Sequence, residues 1–383
     1  MSAHEPLGGR ILTKPFLALS ALAAIALVIL LARFVFGLGA VTHINDGYPW
    51  GIWIVIDVMI GTAFGCAGYA MALLVYVLNR GEYHPLVRPA MMAGLFGYTL
   101  AGAAVIVDLG RYWQVYTLLL PWYAQLNSVM LEVAWCVMAY IVVLAIEFAP
   151  AFLERFRLTD IRQKLSKVLF VIIAVGILLP TMHQSSLGTL LVVLGYKLSP
   201  LWQTQLLPVL FLVTALLMGF AIVPFEAILA ARGFRRPIET RILGKLSGVT
   251  ALLLAGYLVV RFLDLIVRGQ LGAAFVGNLD AGMFWLENAL FVLALVILAR
   301  PAYRTNPRMM FIAAAVLLVA GSVYRINAYL VGYHPAGGGW NYFPSVTEIL
   351  VTVGMFSIEI LLYLLFVKQL PVLPRAERVT AVQ

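Results

Sequence analysis

The chain has 383 residues, of which 63% are hydrophobic and 11% are charged, and its formal net charge at pH 7 is +9. A soluble domain has roughly half apolar and a quarter charged residues, so this composition excludes a soluble globular protein and predicts a polytopic integral membrane protein. Its two cysteines, Cys66 and Cys136, lie in apolar segments. They exclude a disulfide framework and a cysteine-bound iron–sulfur cluster within this chain.

Segments that cross about 30 Å of hydrocarbon need about 20 apolar residues. The sequence predicts an all-α fold with ten transmembrane helices, at residues 15–36, 50–79, 86–108, 126–148, 166–182, 207–231, 246–267, 281–299, 309–332 and 347–368. Pro180 interrupts the fifth segment before a polar run, so this helix is expected to end near His183. The apolar residues 187–195 are then expected to dip back into the membrane.

Basic residues indicate the orientation. Most of the 26 Lys and Arg residues lie in the terminal segments, including Arg375 and Arg378, and in the connections that follow even-numbered helices. The positive-inside rule places these connections and both termini in the cytoplasm, so the net charge requires no nucleic-acid partner. The opposite loops are rich in Trp and Tyr, which favours an interfacial belt and leaves open a docking surface for an outside partner.

Acidic side chains within or at the ends of the apolar segments are the most informative feature. A carboxylate at a helix centre costs at least ~2.5 kcal/mol, so such groups are expected to face inward, toward water, protons or a partner charge. The acids are Asp57, Asp108, Glu132, Glu147, Glu226, Asp264, Glu287 and Glu359. They favour a protein that handles protons. Glu147, just before Pro150, is expected to be solvated at a helix end.

Depth along the helices, at ~1.5 Å per residue, divides the polar residues into groups. The first five helices bring one group to the outer side: Asp57, Asp108, Arg111, Glu132 and His183. A second group is expected to form structural ion pairs: Arg261, Asp264, Glu287 and Arg325. Glu226 stands apart, about a turn from the cytoplasmic end. Asp108 with Arg111, and Asp264 with Arg261 or Arg268, could also simply neutralise each other along one helix.

Several activities are excluded by missing motifs. None of the five histidines is expected in the middle of a helix, so a haem held by facing histidines is not expected. No phosphate-binding glycine motif with a following lysine is present, which argues against an ATP-driven pump. An apolar redox carrier that diffuses in the bilayer, such as quinone, remains compatible with an apolar slot lined by acids or a histidine.

Longer strings identify a resemblance. They are Pro6–Gly9, Tyr48–Gly51, Asn79–Gly81, Tyr83–Ala90, Asp108–Trp113, Leu179–Ser186 and Tyr333–Thr347. Through them the chain resembles the polysulfide-reductase (NrfD-like) family, and within it the membrane subunits of hydrogenase-2-type nickel–iron hydrogenases. The resemblance runs almost end to end.

The resemblance implies one transmembrane domain of paired four-helix bundles plus two helices, the bundles covering about 50–231 and 246–368. It implies a bacterial inner-membrane subunit with no haem, which binds menaquinone near the periplasmic side and does not itself react with hydrogen. Its partners would be a periplasmic ferredoxin-like iron–sulfur subunit and the small and large hydrogenase subunits. Family acids linked to proton movement match Glu132 and Glu226.

The resulting hypothesis is quinone reduction by electrons from outside, with Asp57, Asp108, Arg111, Glu132 and His183 around the quinone. Glu226 would start a proton path from the cytoplasm and Glu132 would end it, so that turnover could be electrogenic and reversible. Three alternatives stay open: the quinone subunit of another periplasmic oxidoreductase, an ion-coupled secondary transporter, and a passive membrane anchor.

Overall fold

The computed structural model describes residues 4–374, so Arg375 and Arg378 lie outside the described residues. Within this range the chain is all-helical apart from one pair of two-residue strands, and ten helices are long and apolar enough to cross a membrane. They are α1 Lys14–Phe36, α2 Ile54–Val77, α3 His84–Asp108, α4 Val129–Arg155, α5 Thr159–Val193, α6 Leu207–Gly233, α7 Thr240–Val267, α8 Leu279–Ala299, α9 Pro307–Val331 and α10 Val346–Gln369. The predicted ten-helix fold is thereby confirmed.

Short 3₁₀ helices lie in the connections: Leu38–Ala40, Gly81–Tyr83, Tyr112–Leu119, Gly195–Lys197, Leu271–Phe275 and Tyr303–Thr305. The strands β1, His4–Glu5, and β2, Leu373–Pro374, pair antiparallel. The two ends of the described chain therefore lie side by side. That this side is cytoplasmic stays a prediction.

Helix α2 is irregular and lies at the centre of the molecule. It begins and ends in π-helical segments, Ile54–Ile60 and Leu73–Val77. A Cβ atom on Gly219 of α6 would lie 2.7 Å from the Cys66 carbonyl oxygen, and one on Gly94 of α3 would lie 2.8 Å from the Gly65 carbonyl oxygen. Glycine at these positions lets both neighbours approach the α2 backbone closely, as small residues do in membrane helix packing.

Helices α3, α5, α6, α9 and α10 contact α2. Neighbours in sequence pair from α4 through α6, while α9 packs against both α8 and α6. The first and last helices pair with each other, and α10 also contacts α3. The division into bundles at about 50–231 and 246–368 stays a prediction.

Two predictions about α4 and α5 are wrong. Helix α5 does not end near His183 but continues to Val193, so residues 187–193 form no re-entrant segment. Pro180 removes a single helical hydrogen bond, whereas unwinding in hydrocarbon would expose many unpaired backbone groups. Helix α4 likewise continues past Pro150 to Arg155, and Glu147 is buried rather than solvated because α5 covers it.

Candidate functional site

His183 is the centre of a buried polar cluster. Its ring is fully buried, and Nε2 lies 3.0 Å from the Tyr98 hydroxyl oxygen and 3.0 Å from Nε2 of Gln184. Nδ1 lies 3.2 Å from the carbonyl oxygen of Leu179. A carbonyl oxygen can only accept, so Nδ1 carries the proton and Nε2 accepts from Tyr98 and Gln184. The network thus assigns a neutral imidazole with a defined tautomer.

Gln184 joins this cluster to α2 and α9. Its amide oxygen accepts from Nη2 of Arg325 at 3.1 Å, which fixes the amide orientation, and its nitrogen donates to the Thr62 hydroxyl at 3.0 Å. Arg325 is fully buried, donates to the carbonyl oxygen of Phe211 at 3.2 Å, and lies 4.8 Å from the centre of the Phe211 ring. We call Tyr98, His183, Gln184, Thr62 and Arg325 the His183 cluster.

Glu132 is brought to the same region by α4. It lies in the first turn of that helix, and its Oε1 accepts a hydrogen bond of 2.8 Å from the hydroxyl of Ser186. Ser186 follows His183 by one helical turn. Of the five residues predicted at the outer site, Glu132 and His183 are therefore neighbours on adjacent helices. His183 lies ~15 Å along α5 from the end at Val193.

The structure places the remaining three predicted residues elsewhere. Asp57 is 8% exposed and lies within electrostatic range of Glu359 on α10. Asp108 is half-buried between Arg33 of α1 and Glu348 of α10, at the end of α3. Arg111 is exposed in the connection that follows.

Three carboxyl groups form a row through the bundle. Asp57 of α2 is nearest the predicted outer side, Glu359 of α10 comes next, and Glu226 of α6 interacts electrostatically with Glu359. The position that a Cβ on Gly97 would take lies 3.5 Å from Oε1 of Glu359, so this carboxyl group is directed toward α3. We call Asp57, Glu359 and Glu226 the carboxyl row. None of the three forms a hydrogen bond with another residue in the described range, 4–374.

The four residues predicted to form ion pairs occur in three settings. Arg261 and Glu287 are both fully buried, with Nη2 and Oε1 3.5 Å apart. Asp264 pairs with Arg268, its neighbour one turn on, at 2.8 Å and also accepts from Thr204 at 2.7 Å. Arg325 pairs with no carboxylate among residues 4–374 and belongs to the His183 cluster.

The loops on the predicted outer side are held by Glu348. Its carboxylate accepts from the hydroxyl of Tyr342 at 2.7 Å and from the backbone nitrogens of Ser345 and His43 at 2.7 and 3.0 Å. Burial, reinforced by the hydrogen bond to Glu348, raises the pKa of Tyr342. Tyr342 therefore remains a protonated donor. Its hydroxyl also accepts from the backbone nitrogen of Ile52 at 2.7 Å, which ties the glycine-rich loop before α10 to the residues that precede α2.

Sequence reasoning missed Tyr98, Gln184 and the buried setting of Glu147. Tyr98 follows Gly94 by one turn and so lies on the face of α3 that carries small residues. This position is the feature of the sequence that indicates that Tyr98 faces a neighbouring helix. Gln184 lies within the polar run that predicts a helix end. Because α5 continues through this run, Gln184 points into the bundle and contacts Thr62 and Arg325.

A bundle of ten apolar helices that enclose titratable side chains defines a class, namely polytopic integral membrane proteins. Residues 40–333 match the family model for polysulphide reductase, NrfD. The chain belongs to this NrfD family.

Curated relatives align over most of the chain. It is 46% identical over 373 residues to the probable Ni/Fe-hydrogenase 2 b-type cytochrome subunit of Escherichia coli (strain K12), covering 97% of this chain and 95% of the relative. A protein of Nitratidesulfovibrio vulgaris is 34% identical over 363 residues, 91% of each chain. The integral membrane subunit of menaquinone reductase from the same organism is 27% identical over 380 residues, 88% of this chain and 86% of the relative.

The word cytochrome in the E. coli relative's name makes haem ligation worth testing against the histidines. A b-type haem in a membrane is usually held by two facing histidines. His183 is the only one of the five that is buried, and both of its ring nitrogens are occupied by Tyr98, Gln184 and Leu179. Residues 4–374 also contain no group of three or more His, Cys, Asp or Glu side chains suited to a metal ion. The five histidines therefore do not fit a haem held by two facing histidines.

Proposed function

We propose that this chain is the quinone-reactive membrane subunit of a nickel–iron hydrogenase complex. Membership of the NrfD family and the names of the E. coli and menaquinone reductase relatives support this class of function. The observation that carries the proposal is the His183 cluster with Glu132 beside it, because a neutral histidine, a tyrosine hydroxyl and a carboxyl group are the groups that bind and protonate a quinone carbonyl.

The overall reaction divides between subunits. Hydrogen would be oxidised to two protons and two electrons in the catalytic partner subunits, on the periplasmic side of the cytoplasmic membrane. A ferredoxin-like iron–sulfur subunit would pass both electrons to a quinone, preferably menaquinone, held in this chain. The quinone takes up two protons with the two electrons and leaves as quinol. This chain therefore binds the quinone and supplies protons, without itself reacting with hydrogen.

Within the site, His183 and Glu132 have separate tasks. Nε2 of His183 accepts the Tyr98 hydroxyl, so Tyr98 is oriented and its proton can be exchanged with the imidazole. Glu132 is half-buried in the first turn of α4 and accepts a hydrogen bond from Ser186, where it can deliver a proton near the predicted outer side. Asp57, Asp108 and Arg111 would contribute to the surroundings and not to the contacts at His183.

Protons drawn from the cytoplasm would make turnover electrogenic. Of the three residues in the carboxyl row, Glu226 lies nearest the predicted cytoplasmic side. It would admit protons there, as the sequence predicts. If electrons enter from outside while protons enter from inside, charge crosses the membrane in each turnover. The reverse reaction would let the membrane potential drive hydrogen evolution, at about 2.3 kcal/mol per charge per 100 mV.

The test compares hydrogen oxidation with a water-soluble dye and with a quinone analogue in membranes. Variants Glu132→Gln, His183→Gln and Glu226→Gln are compared with Glu82→Gln, an exposed acid on the predicted cytoplasmic side. We expect the first three variants to have a quinone-linked rate lowered at least about tenfold and an unchanged dye-linked rate. Unchanged quinone-linked rates in all three would refute the proposal. Activity without any redox partner would support a secondary transporter instead.

A further inference from the structure

Glu147 is a buried carboxyl group in α4 with no assigned role. Its side chain is 8% exposed, and its Oε1 is buried without a hydrogen-bond partner among residues 4–374. It lies on the same face of α4 as Tyr140 and Glu132, two and four turns away. A polar atom left unpaired inside a protein is costly and needs an explanation, and function is one of the common ones.

The neighbouring helix is shaped to accommodate this carboxyl group. A Cβ atom on Gly176 of α5 would lie 2.5 Å from Oε1 of Glu147, so only glycine leaves room for the group in its present position. Gly176 precedes His183 by two turns on the same helix. The face of α4 that carries Glu147 and Glu132 therefore runs along the face of α5 that carries Gly176 and His183.

Two buried tyrosines connect Glu147 with the His183 cluster. Tyr140 lies within electrostatic range of Glu147, and its ring packs edge-on against that of Tyr98, with centroids 4.5 Å apart. The hydroxyl of Tyr98 lies 3.0 Å from Nε2 of His183. The hydroxyl of Tyr140 makes no hydrogen bond with any residue between 4 and 374, so it is available to exchange a proton with a neighbour.

On the side away from His183, Glu147 has an exposed tyrosine as its neighbour. Tyr76 of α2 also lies within electrostatic range of Glu147, and its side chain is 41% exposed. Tyr76 lies in the last turn of α2, on the predicted cytoplasmic side, with its ring edge-on to His84 at 6.4 Å. Glu147 thus stands between an exposed tyrosine and the two buried ones.

We propose that Glu147 is the relay that supplies protons to the His183 cluster from the predicted cytoplasmic side, through Tyr140 and Tyr98. The proposal rests on the proposed function, because it assumes that quinone is reduced at the cluster. Glu147 gives up a proton toward Tyr140, Tyr98 donates one to His183 and regains one from the Tyr140 side, and Glu147 is reprotonated from the Tyr76 side. Each passage moves one proton and no electron, so the relay supplies one of the two protons that a quinone takes up, and Glu132 delivers the other.

This relay differs from the carboxyl row in its destination. The row of Asp57, Glu359 and Glu226 lies on α2, α6 and α10, whereas the relay from Glu147 ends at Tyr98, whose hydroxyl lies 3.0 Å from Nε2 of His183. Loss of Glu147 should therefore impair quinone-linked turnover even while Glu226 is intact.

The experiment uses the complete hydrogenase complex, reconstituted in proteoliposomes with a soluble menaquinone analogue. We expect Glu147→Gln to lower the quinone-linked rate at least about tenfold, to leave the dye-linked rate unchanged, and to increase the solvent deuterium isotope effect because proton delivery becomes limiting. Glu147→Asp should recover part of the rate. Gly176→Ala should reduce it by displacing the carboxyl group, while Gly102→Ala, whose new Cβ meets only the tip of Ile141 at 3.1 Å, should not.

The outcomes separate the two proposals. A normal rate and isotope effect in Glu147→Gln, with His183→Gln and Glu132→Gln impaired, would overturn the relay and leave the proposed function standing. Normal rates in all three would overturn the proposed function. If Glu147→Gln fails to assemble, Tyr140→Phe decides, since it keeps the buried ring and loses only the hydroxyl: a rate within about twofold of the wild type would overturn the relay, and a loss of about tenfold would support it.

Discussion

Replacing Glu287 by Gln is expected to destabilise the protein strongly. The carboxylate lies 3.5 Å from the Arg261 guanidinium, with both side chains fully buried, and its Oε2 accepts from Trp202 at 3.0 Å and Asn327 at 2.8 Å. Gln keeps an oxygen for these two donors but turns an NH₂ group toward Arg261. The arginine then lacks its counter-charge, and its nitrogens have no hydrogen-bond partner among residues 4–374.

The size of the loss follows from the geometry. Two unit charges 3.5 Å apart interact by about 5 kcal/mol at an effective dielectric constant of ~20. Breaking a buried pair by removing one partner costs about 3–5 kcal/mol, because the remaining charge stays buried and uncompensated. We therefore expect Glu287→Gln to lower the free energy of unfolding by about 3–5 kcal/mol, measured by SDS titration of the purified protein in mixed micelles.

Two further variants make this reasoning refutable. Arg261→Met combined with Glu287→Gln removes the stranded charge and should regain at least half of the lost stability. Glu82→Gln breaks the exposed pair with Lys245 and should cost no more than about 1 kcal/mol. A loss below about 1 kcal/mol in Glu287→Gln, or a double variant no more stable than the single one, would show that charge pairing does not stabilise this region.

Two other predictions concern the helix contacts and the outer loops. Gly354→Val should destabilise by about 1–3 kcal/mol, since a Cβ there overlaps the Ala26 side chain, whereas Gly256→Val, which meets open space, should not; thermal unfolding of both measures the difference. Tyr342→Phe should cost about 1–3 kcal/mol, because Glu348 loses a donor and the Ile52 amide loses its acceptor. As the pKa of Tyr342 is raised on folding, this contribution is complete below the unfolded value of ~10 and is lost as pH rises through the folded pKa. Denaturation of the wild type and the variant from pH 7 to 11 tests it, with the exposed Tyr116→Phe as a control.

The helices could be predicted from the sequence because apolar length is a local property. Their ends were less accessible. Residues 149–155 of α4 and 159–165 of α5 include charged positions that a hydropathy argument assigns to a loop, yet a helix can continue outside the bilayer. At Pro180 the backbone stays helical, since hydrocarbon provides no other hydrogen-bond partners.

The depth of the candidate site residues along their helices could be predicted from the sequence, but the directions in which their side chains point could not. The rise per residue placed Glu132 and His183 at comparable heights, and the structure joins them through Ser186. Asp57, predicted with them, lies in the π-helical segment Ile54–Ile60, whose wider turn rotates the face that α2 presents. Its carboxyl group lies within electrostatic range of Glu359. Periodicity with 3.6 residues per turn contains no information about such a change.

Arg325 shows a second limit of sequence reasoning. A cation inside a bilayer suggests a carboxylate partner, and the sequence therefore predicts an ion pair for Arg325. The structure satisfies it with the Gln184 amide, the Phe211 carbonyl and the Phe211 ring, none of which a count of charges can identify. The same applies to Tyr98, because membrane tyrosines are common at interfaces and only packing against α5 and α2 gives this one its partners, His183 and Cys66.

Arg325 has a consequence for the timing of proton transfer in the proposed function. One amide group separates the guanidinium from the imidazole, with 3.1 Å from Arg325 to Gln184 and 3.0 Å from Gln184 to His183. A second positive charge on His183 is therefore disfavoured while the site is at rest, because like charges repel strongly in an enclosed environment. Negative charge that arrives with the electrons would offset this repulsion. His183 would then take up a proton from Tyr98 only once reduction had begun, which couples proton uptake to electron arrival and prevents protons from leaking through the relay between turnovers.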